Sequence, residues 1–194
     1  MTHTMKIIIV GAGLSGLSTA IALRKYVQPI CQEALDLKVY DESDPHTVHD
    51  KGWNDHSDLR LKNQGAAISL QSNGIRVLRD LDPKLADKVI ASGQPCKNFT
   101  WKTAGDYLLG KEYQDLLLIS RPILVKCLWG ALPKETLVYR TVARVESIEG
   151  RKPIVHFDDG GSEDADLVIG ADGIRSPVRR SLFGDGEDFR PKYL

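Results

Sequence analysis

Three glycines within six residues, Gly11-Ala12-Gly13-Leu14-Ser15-Gly16, form the first group able to do chemistry. The run follows the β-branched stretch Met5–Val10 and opens a segment of small and apolar residues at helical spacing, which places it on a strand-to-helix turn. Each glycine has its own reason. Gly11 permits a tight turn, Gly13 removes the Cβ that would hold a pyrophosphate off the backbone, and Gly16 lets the helix pack close to the strand. With Ala12, Leu14 and Ser15 the turn presents unpaired N–H groups and a positive dipole end, a site for phosphate.

A dinucleotide also needs an acceptor for its ribose hydroxyls, and the end of the next strand supplies two acids, Asp41 and Glu42. Alternation of Leu37 and Val39 puts Asp41 where the strand opens after Tyr40, and it is the preferred acid. It lies 25 residues past Gly16 rather than about 20. The stretch Gln28–Ala34 accounts for the excess. These features suit either a nicotinamide or a flavin dinucleotide.

A second segment separates the two: Asp166-Leu-Val-Ile-Gly170-Ala-Asp172-Gly173-Ile-Arg175-Ser176-Pro177-Val-Arg179. It reads as a buried strand delivering an acid and a glycine to a turn, then a short helix with Ser176 as cap and Pro177 at its first position. The expectation is a second anion-ready helix end, with Asp172 holding a hydroxyl of the cofactor while Gly170 and Gly173 let the backbone come close.

This segment resembles the Asp-Gly motif of the aromatic-ring flavoprotein hydroxylases, the family of para-hydroxybenzoate, salicylate and kynurenine hydroxylases. The resemblance spans almost the whole chain, since the early glycines, the segment Gly65–Gly74 before Val77-Leu78-Arg79, and Ser120-Arg121-Pro-Ile-Leu124 recur in order. It implies FAD as cofactor, NADH or NADPH as co-substrate, molecular oxygen as oxidant and a small aromatic compound as substrate. It makes Arg121 a candidate beside the flavin, against the alternative of a helix-start arginine paired with a nearby carboxylate, and Arg175 a second candidate. No catalytic triad or acid-base pair is expected, because the cofactor carries the chemistry.

The elements that position these groups follow the order of an α/β chain. Met5–Val10 and Leu37–Tyr40 read as strands of a parallel sheet, joined by a helix from Leu14 to about Tyr26. Thr47–Gln64 reads as a long polar loop in which Trp53 either packs over the flavin edge or anchors the loop to the core. Helices are expected from Ser72, from Asp82-Pro83 to near Gly93, and from Ser120 to before Pro133. Asn98–Leu118 reads as strands with a turn at Gly105, contributing to an incomplete substrate-domain sheet. Leu137–Ile148 and Pro153–Phe157 read as a β-meander, with a turn at Asp158–Gly161, before the strand Leu167–Ile169. The fold class is thus α/β: a Rossmann-like FAD- and NAD(P)-binding domain over 1–194 with a parallel sheet, an inserted meander and a partial second sheet.

Composition excludes several other functions. Basic and acidic residues balance at 26 each, so nothing points to nucleic acid. Cys31, Cys96 and Cys127 are odd in number and form no CxxC, which argues against a disulfide framework or zinc site and for a cytoplasmic protein. His46, His49 and His56 fit no compact metal-ligand spacing. No membrane span is expected. The resemblance places a third, Gly-Asp element beyond residue 194, so the expectation is a chain that stops before the fold is complete, binds FAD weakly or not at all when alone, and self-associates through its incomplete sheet. The rival readings are a non-catalytic dinucleotide-binding fragment and a nicotinamide-dependent reductase.

Overall fold

A computed structural model describes residues 4–31, 34–42, 67–105 and 108–184. The expected loop 47–64 with Trp53, and the histidines His46, His49 and His56, lie outside them. Two compact units emerge, one formed by Met1–Asp50 with Leu132–Leu194 and the other by Lys51–Ala131.

The first unit is built on the β-branched run of β1 (Thr4–Val10), whose Ile7, Ile8 and Ile9 are completely buried. Because side chains alternate across a strand, burial of consecutive residues requires cover on both faces. β1 pairs in parallel with β2 (Ala34–Asp41) in the register Ile8↔Lys38. Between them runs α1 (Leu14–Ala22), which buries Leu17, Ala20 and Ile21 and packs against β1 and β2. The helix does not continue in α geometry to Tyr26 as the spacing suggests. It widens into a π-helical turn over Leu23–Val27, where Arg24 Nη2 donates to the buried Thr136 hydroxyl at 2.8 Å.

In the second unit the antiparallel strands β3 (Ala67–Leu70), β4 (Gln94–Lys102) and β5 (Leu108–Ser120) lie in the order β3-β5-β4. β3 is an element the sequence does not announce. Three helices accompany the sheet: α2 (Ser72–Leu81), α3 (Pro83–Ser92) and α4 (Arg121–Trp129). Asp82 caps α3 by accepting the Lys84 N–H at 2.8 Å, with Pro83 at the first position. Ser72 is not a cap. Gln71 occupies that position on α2 without a side-chain capping bond, and Ser120 stands at the start of α4 likewise without a capping bond.

Back in the first unit, β6 (Leu137–Tyr139) adds to the parallel sheet beside β2, in the register Val39↔Leu137. The alternation over Leu137–Ile148 therefore hides two strands of two sheets. Arg140 N–H donates to the Asp41 carbonyl at 2.9 Å and the chain then leaves the parallel sheet. It enters an antiparallel meander of β7 (Val142–Glu146), β8 (Ile154–Phe157) and β9 (Ser162–Asp164).

The last strand, β10 (Leu167–Gly170), returns to β1 and completes the order β10-β1-β2-β6. Its entry is fixed by Lys6 and Asp166, where the Lys6 N–H donates to the Asp166 carboxylate and the Asp166 N–H to the Lys6 carbonyl, both at 2.8 Å. The meander covers the sheet face bearing Ile8, Val10 and Tyr40 with Val142, Val145, Val155 and Phe157. Each such apolar side chain contributes roughly 1.5–3 kcal/mol on burial. Under the same cover Glu163 takes ion pairs from Lys38 at 2.6 Å and Lys6 at 2.8 Å and a hydrogen bond from the Tyr40 hydroxyl. A 3-10 turn over Gly173–Arg175 and the short helix α5 (Pro177–Phe183) follow β10.

Candidate cofactor-binding site

The glycine turn leaves β1 at Val10, and its three glycines have separable roles. Gly11 sits at φ +103°, and a Cβ there would lie 2.4 Å from the Ala171 carbonyl oxygen. A Cβ on Gly16 would lie 1.9 Å from the Gly11 carbonyl oxygen. Both are needed for the protein's own packing. Gly13 differs: its backbone is ordinary extended, at φ −74°, and a Cβ would meet nothing within 4 Å. The fold does not need glycine there for its own packing, and the space beside it is open.

Next to that space stands the N-terminus of α1, with Gly13 as its cap residue, no side-chain cap bond and no acid in the first turn. The first N–H groups of a helix have no intrahelical partner and carry the positive end of the dipole, so an anion is the complementary occupant. Asp41 closes the other side. Its Oδ2 accepts the Ala12 N–H at 2.6 Å, while the Gly11 N–H donates to the Tyr40 carbonyl at 2.7 Å. The acid at the end of β2 is thereby locked to the glycine turn. Glu42 follows it, exposed.

The Asp-Gly turn arrives from β10, where the Ala171 N–H donates to the Val10 carbonyl at 2.8 Å and ties the two turns together. Gly173 takes φ +75°, a conformation only glycine adopts easily, and a Cβ on Gly170 would press to 3.0 Å on Val178. The expected open second helix end is filled by the protein itself. Asp172 Oδ2 accepts the Val178 N–H at 3.1 Å and Ser176 Oγ accepts the Arg179 N–H at 2.9 Å, so α5 is already capped. An external phosphate has no vacant donors there.

A cleft of about 240 Å³ joins Gly11, the end of β2 and the Asp172 turn, lined by Val10, Gly11, Tyr40, Asp41, Glu42, Arg140, Thr141, Val142, Asp172, Arg175 and Pro177, while Gly13 and the start of α1 lie outside its lining. Four of the expected residues thus meet Gly11 on one surface: Asp41, Glu42, Asp172 and Arg175. Arg121 instead opens α4 in the other unit. Arg140, Thr141 and Val142 are lining residues that pattern reading missed. The Arg140 guanidinium donates through Nε and Nη2 to Asp159, both at 2.6 Å, and lies over the Phe157 ring at 3.7 Å from its centre. Hydrogen bonds from Arg140, and then from the Gly161 N–H, hold the Asp159 carboxyl down to about 2.

The sequence profile of the FAD binding domain matches residues 4–192. The chain belongs to this family. As an FAD-binding domain it is 33% identical over 201 residues to 3-amino-4-hydroxybenzoate 2-monooxygenase of Streptomyces cremeus, covering 97% of this chain and 44% of that protein. It is 29% identical over 196 residues to 6-hydroxynicotinate 3-monooxygenase of Pseudomonas fluorescens, with 95% and 44% covered. Among solved structures, 2,6-dihydroxypyridine-3-hydroxylase of Arthrobacter nicotinovorans superposes with a TM-score of 0.70 at 24% identity, over 100% of this chain and 42% of that one. The chain spans less than half the length of the curated relatives it matches.

FAD fits the residues present. The cradle over Gly13 and the bare start of α1 suit its pyrophosphate, and Asp41 stands where a ribose hydroxyl would need an acceptor. Among the described residues no group of His, Cys, Asp and Glu could hold a metal ion, and no helix is long and apolar enough to cross a membrane.

Proposed function

We propose that this FAD-binding domain serves an NADH- or NADPH-dependent monooxygenase that hydroxylates a small aromatic or heteroaromatic compound. The observation that carries the reading is the meeting of the Asp172 turn with Gly11 and Asp41 on one cleft, because a plain nicotinamide fold has no need of a second turn at that place. The names of the relatives, monooxygenases acting on an aminohydroxybenzoate and a hydroxynicotinate, support the substrate class.

Bound FAD supplies the redox chemistry and the activation of oxygen. The chain's own residues bind and orient it. Gly13 gives the pyrophosphate access to the backbone, the start of α1 offsets its charge, and Asp41 orients the adenosine ribose. Asp172 and Gly173 shape the wall on the β10 side, and the resemblance alone makes Arg121 a candidate for flavin contact. The sheet of β3, β4 and β5 is the start of the substrate-side sheet, and its outer strands are where a second copy would associate. A cytoplasmic location suits the three unbridged cysteines.

Oxygen uptake by the protein, with NADH or NADPH and a panel of hydroxylated benzoates and pyridines, tests the reading. Flavin-dependent uptake that rises with one of these rings is expected. A protein that binds FAD but oxidises neither nicotinamide overturns it.

A further inference from the structure

Tyr40 is held from two sides. Its carbonyl accepts the Gly11 N–H at 2.7 Å, and the carboxylate of its neighbour Asp41 accepts the Ala12 N–H at 2.6 Å, so the last two residues of β2 hold the glycine turn. Its side chain lies under the meander, with its ring centre 4.8 Å from that of Phe157 and its hydroxyl donating to the Glu163 carboxylate. A group that fixes this side chain acts on the glycine turn through the backbone of a single residue.

Glu163 is such a group. It sits on β9 opposite Val155, is absent from the cleft lining and has a side chain only 17% exposed. Besides the Tyr40 hydroxyl it takes Lys6 of β1 at 2.8 Å and Lys38 of β2 at 2.6 Å. Because side chains alternate along a strand, Lys6 shares a face with Ile8 and Val10, and Lys38 with Tyr40. One carboxylate thus grips both strands that end in the site, β1 at the glycine turn and β2 at Asp41. Apolar side chains of similar volume would hold the same layers together as firmly, but only a charged, hydrogen-bonded cluster ties them in one arrangement.

We infer that Glu163 is a positioning residue for the cofactor: by gathering Tyr40, Lys6 and Lys38, it sets the spacing between the glycine turn and the acid at the end of β2. The inference rests on the FAD-binding reading above. It gives the meander a part in cofactor affinity that is separate from its part in the core.

Titration with FAD, and with ADP as its adenosine half, tests this beside thermal unfolding of the cofactor-free protein. The triple variant Lys6→Met, Lys38→Met, Glu163→Leu replaces the cluster by apolar groups of similar size. It should unfold no lower than the wild type, yet bind FAD and ADP about tenfold more weakly, within the range by which members of one network depend on each other. Tyr40→Phe keeps the ring and removes only the tether, and should weaken both ligands by a smaller factor. Added to the triple variant it should cost nothing more, because the tether is already gone. Wild-type affinity in the triple variant, or in Tyr40→Phe should the triple variant not fold, would overturn the inference. So would an affinity that falls only in step with the unfolding temperature, which would assign Glu163 to folding alone. Losses that add would show that the Tyr40 hydroxyl touches the cofactor itself, and would overturn it too. A wild-type protein that takes up neither FAD nor ADP would overturn the FAD-binding reading, and this inference with it.

Discussion

The carboxylate of Asp41 accepts the backbone N–H of Ala12 at 2.6 Å, so the acid at the end of β2 and the turn at the end of β1 form one rigid unit. Asp41→Ala removes both this brace and the proposed ribose acceptor. FAD affinity should fall by about 1–3 kcal/mol, the worth of a charge-assisted hydrogen bond. Glu42→Ala should cost less. Flavin fluorescence titration of the two variants checks the ranking, and a larger loss from Glu42→Ala would show that the ribose acid is its neighbour.

Gly13→Val and Gly16→Ala should fail in opposite ways. At Gly13 an added Cβ meets no protein atom within 4 Å, so the cofactor-free variant should keep most of its stability, less the modest cost of Val as a helix N-cap, yet lose FAD. At Gly16 the Cβ runs into the Gly11 carbonyl, and stability should drop by at least about 1–3 kcal/mol. Calorimetry without cofactor, followed by flavin titration, reads both effects.

Asp172→Ala uncaps α5 at Val178, which should cost about 0.5–2 kcal/mol of stability. Flavin affinity should fall as well. Asp172→Asn keeps an acceptor for the Val178 N–H and should recover most of the stability, so chemical denaturation of the pair separates capping from cofactor contact.

Glu163 should give the first unit an acid-sensitive step. Burial pushes its carboxyl up, but hydrogen bonds from Lys38, Lys6 and Tyr40 outweigh this and bring it from 4.5 down to about 2. A carboxyl depressed in the folded state stabilises fully above its unfolded pKa. The contribution, about 1–2 kcal/mol once solvent screening of the ion pairs is allowed for, is therefore lost as pH falls from about 4.5 to about 2. Urea midpoints measured across that window should decline steeply in the wild type and much less in Glu163→Gln.

The parts of the site that were legible in the sequence are those whose geometry is local. Gly11 to Gly16, Asp82-Pro83 and Ser176-Pro177 specify a turn or a helix start through their own backbone preferences, and the structure builds them accordingly. Arg140 was not legible, because its place depends on Leu137 pairing with Val39, and the three-residue strand β6 is too short to show a period of its own. Asp172 lay between the two. Its turn was readable, but not that its carboxylate caps α5, since an acceptor for Val178 and one for a sugar hydroxyl look alike in sequence.

The pairing of β1 with β10 has a consequence for how the molecule is made. Ile8 meets Val168 in register, so the strand that carries the glycine turn gains its second neighbour only after β10, far along the sequence, has left the ribosome. At about 5–20 residues per second that delay is on the order of ten to thirty seconds. During it the fully apolar stretch Ile7-Ile8-Ile9 is covered on one edge at most, and contacts this distant in sequence close slowly even once both partners exist. The nucleotide cradle is thus synthesised well before it can be completed. Chaperones that hold nascent chains would find their client in β1.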